Sequence, residues 1–167
     1  IGEIPYEGNI RLGHNVEIGY FAQNQAHYLD GELTLLDTML NAANDSNRTK
    51  VRDILGAFLF RGDEVEKKVK VLSGGERNRL ALAKMLLSSF NVLVMDEPTN
   101  HLDIASKNVL KQALQRFEGT LIIVSHDRDF LTGLTDKVYE FKNHTIKEYL
   151  GDIDFYLEQR AVSSFRE

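Results

Sequence analysis

The sequence has no cysteine among its 167 residues. This excludes disulfide bonds, thiolate metal sites and a cysteine nucleophile, and it fits a reducing compartment. The longest apolar runs, such as residues 92–95 and 121–124, are far too short to span a bilayer. The first residues carry neither a basic segment nor a long apolar one, so no secretory signal is predicted. The sequence therefore indicates a cytoplasmic protein without direct membrane insertion.

The charge balance also lacks a strong excess of either sign. Twenty lysines and arginines stand against 25 aspartates and glutamates, for a net charge of −5, so bulk charge gives no argument for nucleic-acid binding. The apolar fraction of 43% is sufficient for a packed core. The length suits one domain or part of a larger one.

The hydrophobic pattern alternates between strands and helices from residue 72 onward. Short apolar runs at 92–95 and 121–124 predict buried strands, and helical spacing is found between and around them. This alternation predicts an α/β layered core with parallel strands. The remaining predicted elements are strands near 16–22, 137–141 and 145–149, and helices within 33–60 and at 73–88, 104–117, 127–132 and 154–166.

Two carboxylates follow directly after the first buried strand. Asp96 and Glu97 stand where ligands bind in open α/β sheets, beyond the carboxyl ends of the strands. Asp96 could hold Mg²⁺, which favours carboxylates and phosphates, and Glu97 could polarise an attacking water. The alternative is a strand that simply ends at a solvated acidic turn.

A second candidate site is the start of the helix that follows Leu72. Ser73 is a good N-cap residue, and Glu76 stands at the spacing of a capping box. Gly74 and Gly75 remove side chains beside the helix N-terminus, which leaves exposed N–H groups suited to an anion. A helix that is merely well capped is the alternative, although Ser-Gly-Gly exceeds what capping requires.

A third candidate is His126, which follows the second buried strand. A histidine at this end of a strand can donate a hydrogen bond to a phosphate. Alone, a histidine in this place is more often structural. Its position at the same sheet edge as Asp96 and Glu97 favours a shared site.

Taken together and in order, LSGGE at 72–76, VLVMDEPTNHLD at 92–103 and IIVSHD at 122–127 resemble the signature motif, the Walker B motif with its D-loop, and the switch histidine of ABC ATPases. YFAQ at 20–23 is similar to the Q-loop strand and its glutamine. The wording DEPTNHLD with SHDR is similar to the ABC-F subfamily, whose members carry two cassettes on one chain and act mostly on ribosomes as translation or resistance factors. The tail from residue 137 resembles the second cassette of such a pair.

The resemblance implies ATP and Mg²⁺ as cofactors and a role for each matching residue. Gln23 would contact Mg²⁺ and the attacking water, Asp96 would organise Mg²⁺, Glu97 would be the general base, and His126 would contact the γ-phosphate. These four residues would serve the nucleotide that the cassette itself binds.

The other matching residues would serve a second cassette, on the same chain or in a dimer. Ser73, Gly74, Gly75 and Glu76 would contact the ATP that the opposite cassette holds. Asp103 would belong to the D-loop at the interface between the cassettes.

The implied fold is a P-loop NTPase-like ABC cassette core with a helical subdomain, lacking the N-terminal phosphate-loop segment. The chain contains no Gly-Lys dipeptide, so it has no GxxxxGK[ST] loop. It also begins without methionine, in a predicted strand, and we expect the loop and its strand to lie upstream. The chain alone is therefore expected to be inactive. The predicted segments are 1–26 with the Q-loop, 27–71 as the helical subdomain, 72–150 as the catalytic core and 151–167 as a terminal helix.

Three alternatives remain open at this point. The chain could belong to the ATPase subunit of a transporter, or it could be a non-catalytic fragment that only presents its signature face. A metal-dependent hydrolase using His101, Asp103, His126 and Asp127 is disfavoured because these residues lack a compact ligand spacing.

Overall fold

The computed structural model describes residues 7–22, 25–100 and 102–164, with side chains described up to residue 161. The strands are β1 (Ile18–Phe21), β2 (Val92–Asp96), β3 (Thr120–Val124), β4 (Val138–Lys142) and β5 (Thr145–Tyr149). The helices are α1 (Leu35–Ala42), α2 (Val51–Ala57), α3 (Gly74–Met85), α4 (Ile104–Gln115), α5 (Arg128–Leu131) and α6 (Ile153–Ser164). Each predicted element that falls on described residues is present, with ends shifted by a few residues.

The central sheet is parallel, as the alternating pattern predicts. Its order is β1-β2-β3, with Tyr20 opposite Val94 and Val94 opposite Ile122. The three strands are contiguous, so a further strand can join only at the outer edge of β1 or β3. The fold class is thus confirmed as α/β. Strands β4 and β5 form a separate antiparallel hairpin whose turn places Asn143 and His144 at positive φ, as a two-residue hairpin turn requires.

Strand β2 contributes two buried side chains to the core, and β1 contributes Phe21. Leu93 and Met95 are buried, whereas the alternate residues are partly exposed, because the two faces of a strand alternate. The prediction that residues 121–124 form a second buried strand is wrong for β3. None of its residues is buried, and Ile122 and Val124 remain 50% and 55% exposed. β3 is an edge strand, and no described residue covers that face of it.

The helical region between β1 and α3 packs more completely. Leu35, Met39 and Leu55 are fully buried, and the Thr34 side chain caps α1 by accepting a hydrogen bond from the Asp37 N–H. The charged run at 63–70 folds into short 3-10 turns, and most of its charged side chains are exposed.

The hydrophobic core is continuous across residue 71, since one cluster contains side chains from both sides of it. The division at residues 26, 71 and 150 therefore stays a prediction. Within the described residues, no helix combines the length and apolar composition needed to cross a membrane.

Candidate functional site

The end of β2 places two carboxylates in different environments. Glu97 has a φ of 46°, a left-handed conformation that is uncommon for a residue with a side chain. Its N–H donates to the Val124 carbonyl oxygen at 2.8 Å, which extends the pairing between β2 and β3. Its side chain is 19% exposed, and its Oε1 is buried without a hydrogen-bond partner in the described part of the chain. Such an orphaned buried acceptor is costly unless a ligand, ion or water completes it.

His126 faces this carboxylate from the end of the neighbouring strand. Its Nε2 lies 3.7 Å from Glu97 Oε1, which is beyond ordinary hydrogen-bond distance. The His126 side chain is 98% exposed. The predicted shared edge is therefore present: one buried acceptor and one exposed imidazole meet where two parallel strands end.

The residues at the β2 end fit a magnesium site completed by phosphates. The Asp96 carboxylate makes no hydrogen bond or ion pair to another described residue, and the orphaned Glu97 oxygen lies next to it in sequence. Mg²⁺ is usually held by one or two carboxylates with phosphates and water rather than by a full cage of side chains. Among the described residues, which do not include His101, no group of three or more histidines and carboxylates could hold a metal alone.

The start of α3 forms the predicted capping box. Ser73 Oγ accepts a hydrogen bond from the Glu76 N–H at 3.3 Å, and the Ser73 N–H donates to Glu76 Oε2 at 2.8 Å. This second bond is the main reason that the pKa of Glu76 lies below its ordinary value. A side chain at Gly74 would meet no atom within 4 Å, so this helix end is open to a ligand. Glu76 itself is folded back onto the cap.

Two side chains of α3 tie this helix to the loop after Glu97. Asn78, only 8% exposed, donates from Nδ2 to the Asn100 carbonyl oxygen at 3.0 Å. The Arg79 guanidinium lies 3.4 Å from Asp103 Oδ2 and 5.2 Å from the centre of the Phe60 ring. The helix and the predicted interface loop are therefore held together within this chain.

Asp103 is the N-cap of α4, a role that the sequence analysis missed. Its Oδ1 accepts a hydrogen bond from the Ser106 N–H at 2.7 Å. This bond is the largest cause of a lowered Asp103 pKa, and Arg79 adds a smaller electrostatic effect. Aspartate immediately before a helical pattern was the available signal.

The structure brings Glu97 and His126 together, and Asp96 lies directly before Glu97 at the end of β2. No hydrogen bond or ion pair between described residues links 73–76 to Asp96, Glu97 or His126, so the assignment of this helix end to an opposite cassette stays a prediction. Gln23, the predicted Q-loop glutamine, and His101 lie outside the described residues. The left-handed backbone of Glu97 has no signal in the sequence.

Comparison with known proteins places these residues in a family. Residues 2–100 match the family described as ABC transporter. The chain is 42% identical over 166 residues to ABC transporter F family member 5 of Arabidopsis thaliana, covering 99% of this chain and 24% of that protein. It is 47% identical over 157 residues to the putative ATP-binding protein YdiF of Bacillus subtilis (strain 168), covering 94% of this chain and 24% of that protein. The chain thus spans about a quarter of the length of these relatives.

Solved structures support the fold. One is a dimeric, post-hydrolysis ATP-binding cassette bound to ADP and Pi, with a TM-score of 0.64, 23% identity, and coverage of 81% of this chain and 63% of that one. Another is the archaeal ribosome recycling factor aABCE1 in complex with the ribosomal stalk protein aP1, with a TM-score of 0.67, 24% identity, and coverage of 94% of this chain and 32% of that one. At these identities the likeness shows the fold alone.

Proposed function

Because the chain belongs to the ABC transporter family, within its F subfamily, we propose that it supplies catalytic residues for ATP hydrolysis at an interface between two cassettes. Asp96 binds the Mg²⁺ that accompanies ATP, together with the predicted Gln23. Glu97 accepts a proton from the attacking water, and His126 donates a hydrogen bond to the γ-phosphate. When bound by Asp96, Mg²⁺ would neutralise charge on the phosphates.

The observation that carries this proposal is the orphaned Glu97 oxygen facing His126. A carboxylate that only ended a strand would be solvated, whereas this Oε1 is buried and unpartnered within the described chain. A water between Oε1 and a phosphate would complete it. The strained φ of Glu97 holds the carboxylate in this place, and such strain is typical of functional positions.

The open end of α3 provides the second half of the site. Ser73 and the N–H groups of Gly74 and Gly75 receive the γ-phosphate of ATP bound by the opposite cassette, and the helix dipole favours that negative charge. Arg79 of the same helix contacts Asp103, and this contact keeps Asp103 close to the proposed interface. The chain alone has no phosphate-cradling loop and is proposed to be inactive by itself.

Glu97→Gln in the complete protein tests this assignment. The amide keeps the size of the carboxylate but not its basicity, so ATP hydrolysis should fall by about 100-fold or more while ATP still binds. Glu118→Gln is the matched control, since Glu118 is exposed and makes no hydrogen bond to another described residue. Turnover at the wild-type rate in Glu97→Gln would show that Glu97 is not the base.

We further propose that the complete protein is a cytoplasmic, ribosome-associated translation or resistance factor. The relatives named as F family members support this, as does the motif wording at 96–103. With ATP, the Glu97→Gln variant should accumulate in its closed state and sediment with ribosomes. Recovery with a membrane protein instead would favour the alternative of a transporter subunit. Failure to bind ATP at all would favour a non-catalytic role.

A further inference from the structure

Helix α4 carries a half-buried ion pair that connects it to the loop after β3. Lys107 lies one turn after Asp103, and its N–H donates to the Asp103 carbonyl oxygen at 2.9 Å. Its Nζ lies 2.6 Å from Asp127 Oδ2, and the two side chains are 35% and 21% exposed. A close pair with this much burial is screened less by solvent than a fully exposed pair.

Both carboxylate oxygens of Asp127 and its backbone N–H take part in hydrogen bonds. Oδ1 accepts a hydrogen bond from the Phe130 N–H at 3.1 Å and caps α5, while Oδ2 receives Lys107. The Asp127 N–H donates to Ser125 Oγ at 3.1 Å. The hydrogen bond from Lys107 is the largest cause of the lowered Asp127 pKa.

His126 lies between Ser125 and Asp127 in the sequence, but its own side chain makes no close contact that fixes it. The side chain is 98% exposed, and its Nε2 lies 3.7 Å from Glu97 Oε1. The direction of the imidazole therefore depends on the backbone of Ser125 and Asp127. An exposed side chain can donate to a phosphate repeatedly only if that backbone is fixed.

We propose that Lys107 is a positioning residue for His126, acting through Asp127. This inference rests on the proposed function, because it assigns His126 to the γ-phosphate. Since Asp103 is the N-cap of α4, the same helix would hold the predicted interface loop at its N-terminal end and the histidine loop one turn later. Closure of the interface would then be linked to the placement of His126.

Lys111 provides a matched control for this proposal. It lies one turn after Lys107 on α4, and its Nζ donates to the Asp129 carbonyl oxygen at 2.5 Å. Lys111 therefore ties the same helix to α5 without a hydrogen bond to Asp127, on whose carboxylate it has only a smaller electrostatic effect than Lys107. If the link from α4 to α5 only stabilised the fold, removal of either lysine would have a similar effect.

The experiment compares Lys107→Met, Lys107→Arg and Lys111→Met in the complete protein, alone and combined with His126→Ala. Lys107→Met should lower kcat by about 10-fold with KM within about twofold, because a small misplacement of a catalytic group is costly. Lys107→Arg and Lys111→Met should stay within about threefold of wild type. Added to His126→Ala, Lys107→Met should lower kcat by less than about twofold further, since both act through one interaction.

Two results would overturn the proposal. One is a full further loss of kcat when Lys107→Met is added to His126→Ala, and the other is an equal loss in Lys111→Met. If the wild-type protein does not hydrolyse ATP, the proposed function fails, and hydrogen exchange of residues 125–131 then decides about Lys107. Faster exchange in Lys107→Met than in Lys111→Met supports its positioning of this loop, and unchanged exchange rules it out.

Discussion

The helical region and the strand β3 contain similarly apolar side chains, but only the helical region buries them. Leu35, Met39 and Leu55 are fully buried by their neighbours, whereas Ile122 and Val124 are about half exposed. The helices α1, α2 and α3 contact one another, while β3 pairs with a strand on only one of its edges within the part of the chain that the structure describes. The burial of a side chain in this chain is therefore determined by the elements that pack against it rather than by the hydrophobicity of its segment.

A pair of side-chain truncations in the 167-residue chain gives the strongest test of this difference in burial. Leu55→Ala should lower the free energy of unfolding by about 2–5 kcal/mol, because it leaves a cavity in a closed core. Ile122→Ala should cost about 1 kcal/mol or less, since half of that side chain is already in contact with water. Urea unfolding of both variants measures the two values.

Equal costs for the two truncations would mean that the face of β3 is covered in solution. The same two variants in the complete protein test whether a further segment covers β3. If another strand joins at the free edge of β3 in the complete protein, the cost of Ile122→Ala should rise there while that of Leu55→Ala stays the same.

A smaller effect on stability is expected at the N-terminal end of α3, since the body of this helix is packed but its end is open. Ser73→Ala should cost about 1 kcal/mol of stability through loss of the cap, whereas Ser73→Asp should cost little because aspartate caps about equally well. Ser73→Asp should nevertheless abolish ATP-driven closure of the complete protein, since its charge repels the incoming phosphate. Thermal unfolding beside ATP-dependent compaction measures both effects.

Ser88→Ala is the control for these variants, because Ser88 is exposed beyond the C-terminal end of α3 and caps no helix. It should leave both stability and closure unchanged. Normal closure of Ser73→Asp with ATP would show that the helix end faces no phosphate.

The smallest expected effect is the pH dependence of the same cap. The Ser73 N–H holds the pKa of Glu76 below its ordinary value of 4.5 in the folded chain. A carboxylate with a depressed folded-state pKa contributes stability that is present above pH 4.5 and is lost as the pH falls through the folded pKa. Glu76→Gln keeps a side chain able to complete the capping box but removes the charge.

The difference in Tm between wild type and Glu76→Gln should therefore be largest near neutral pH and should shrink below about pH 4.5. Thermal unfolding from pH 7 to pH 3 measures it. A Tm difference that stays constant over this range would show that the Glu76 charge does not contribute to the cap.

Local signals in the sequence were sufficient where a structure depends on near neighbours in the chain. The capping box of Ser73 and Glu76 and the strand that ends at Asp96 were predicted and are present. The caps formed by Asp103 and Asp127 carry the same type of local signal, an aspartate immediately before a helical pattern, but were not predicted. The roles of the site residues stay predictions.

The order of residues along the chain by itself determined the α/β alternation, the parallel sheet and the edge at which Glu97 and His126 meet, because hydrophobic period and strand direction are local properties. Only the tertiary structure decided the exposure of Ile122, the left-handed φ and buried oxygen of Glu97, and the pairing of Lys107 with Asp127. These features depend on atoms that are distant in sequence and are brought together by packing. No local pattern encodes which side chain lacks a neighbour or which lysine finds a carboxylate 20 residues away.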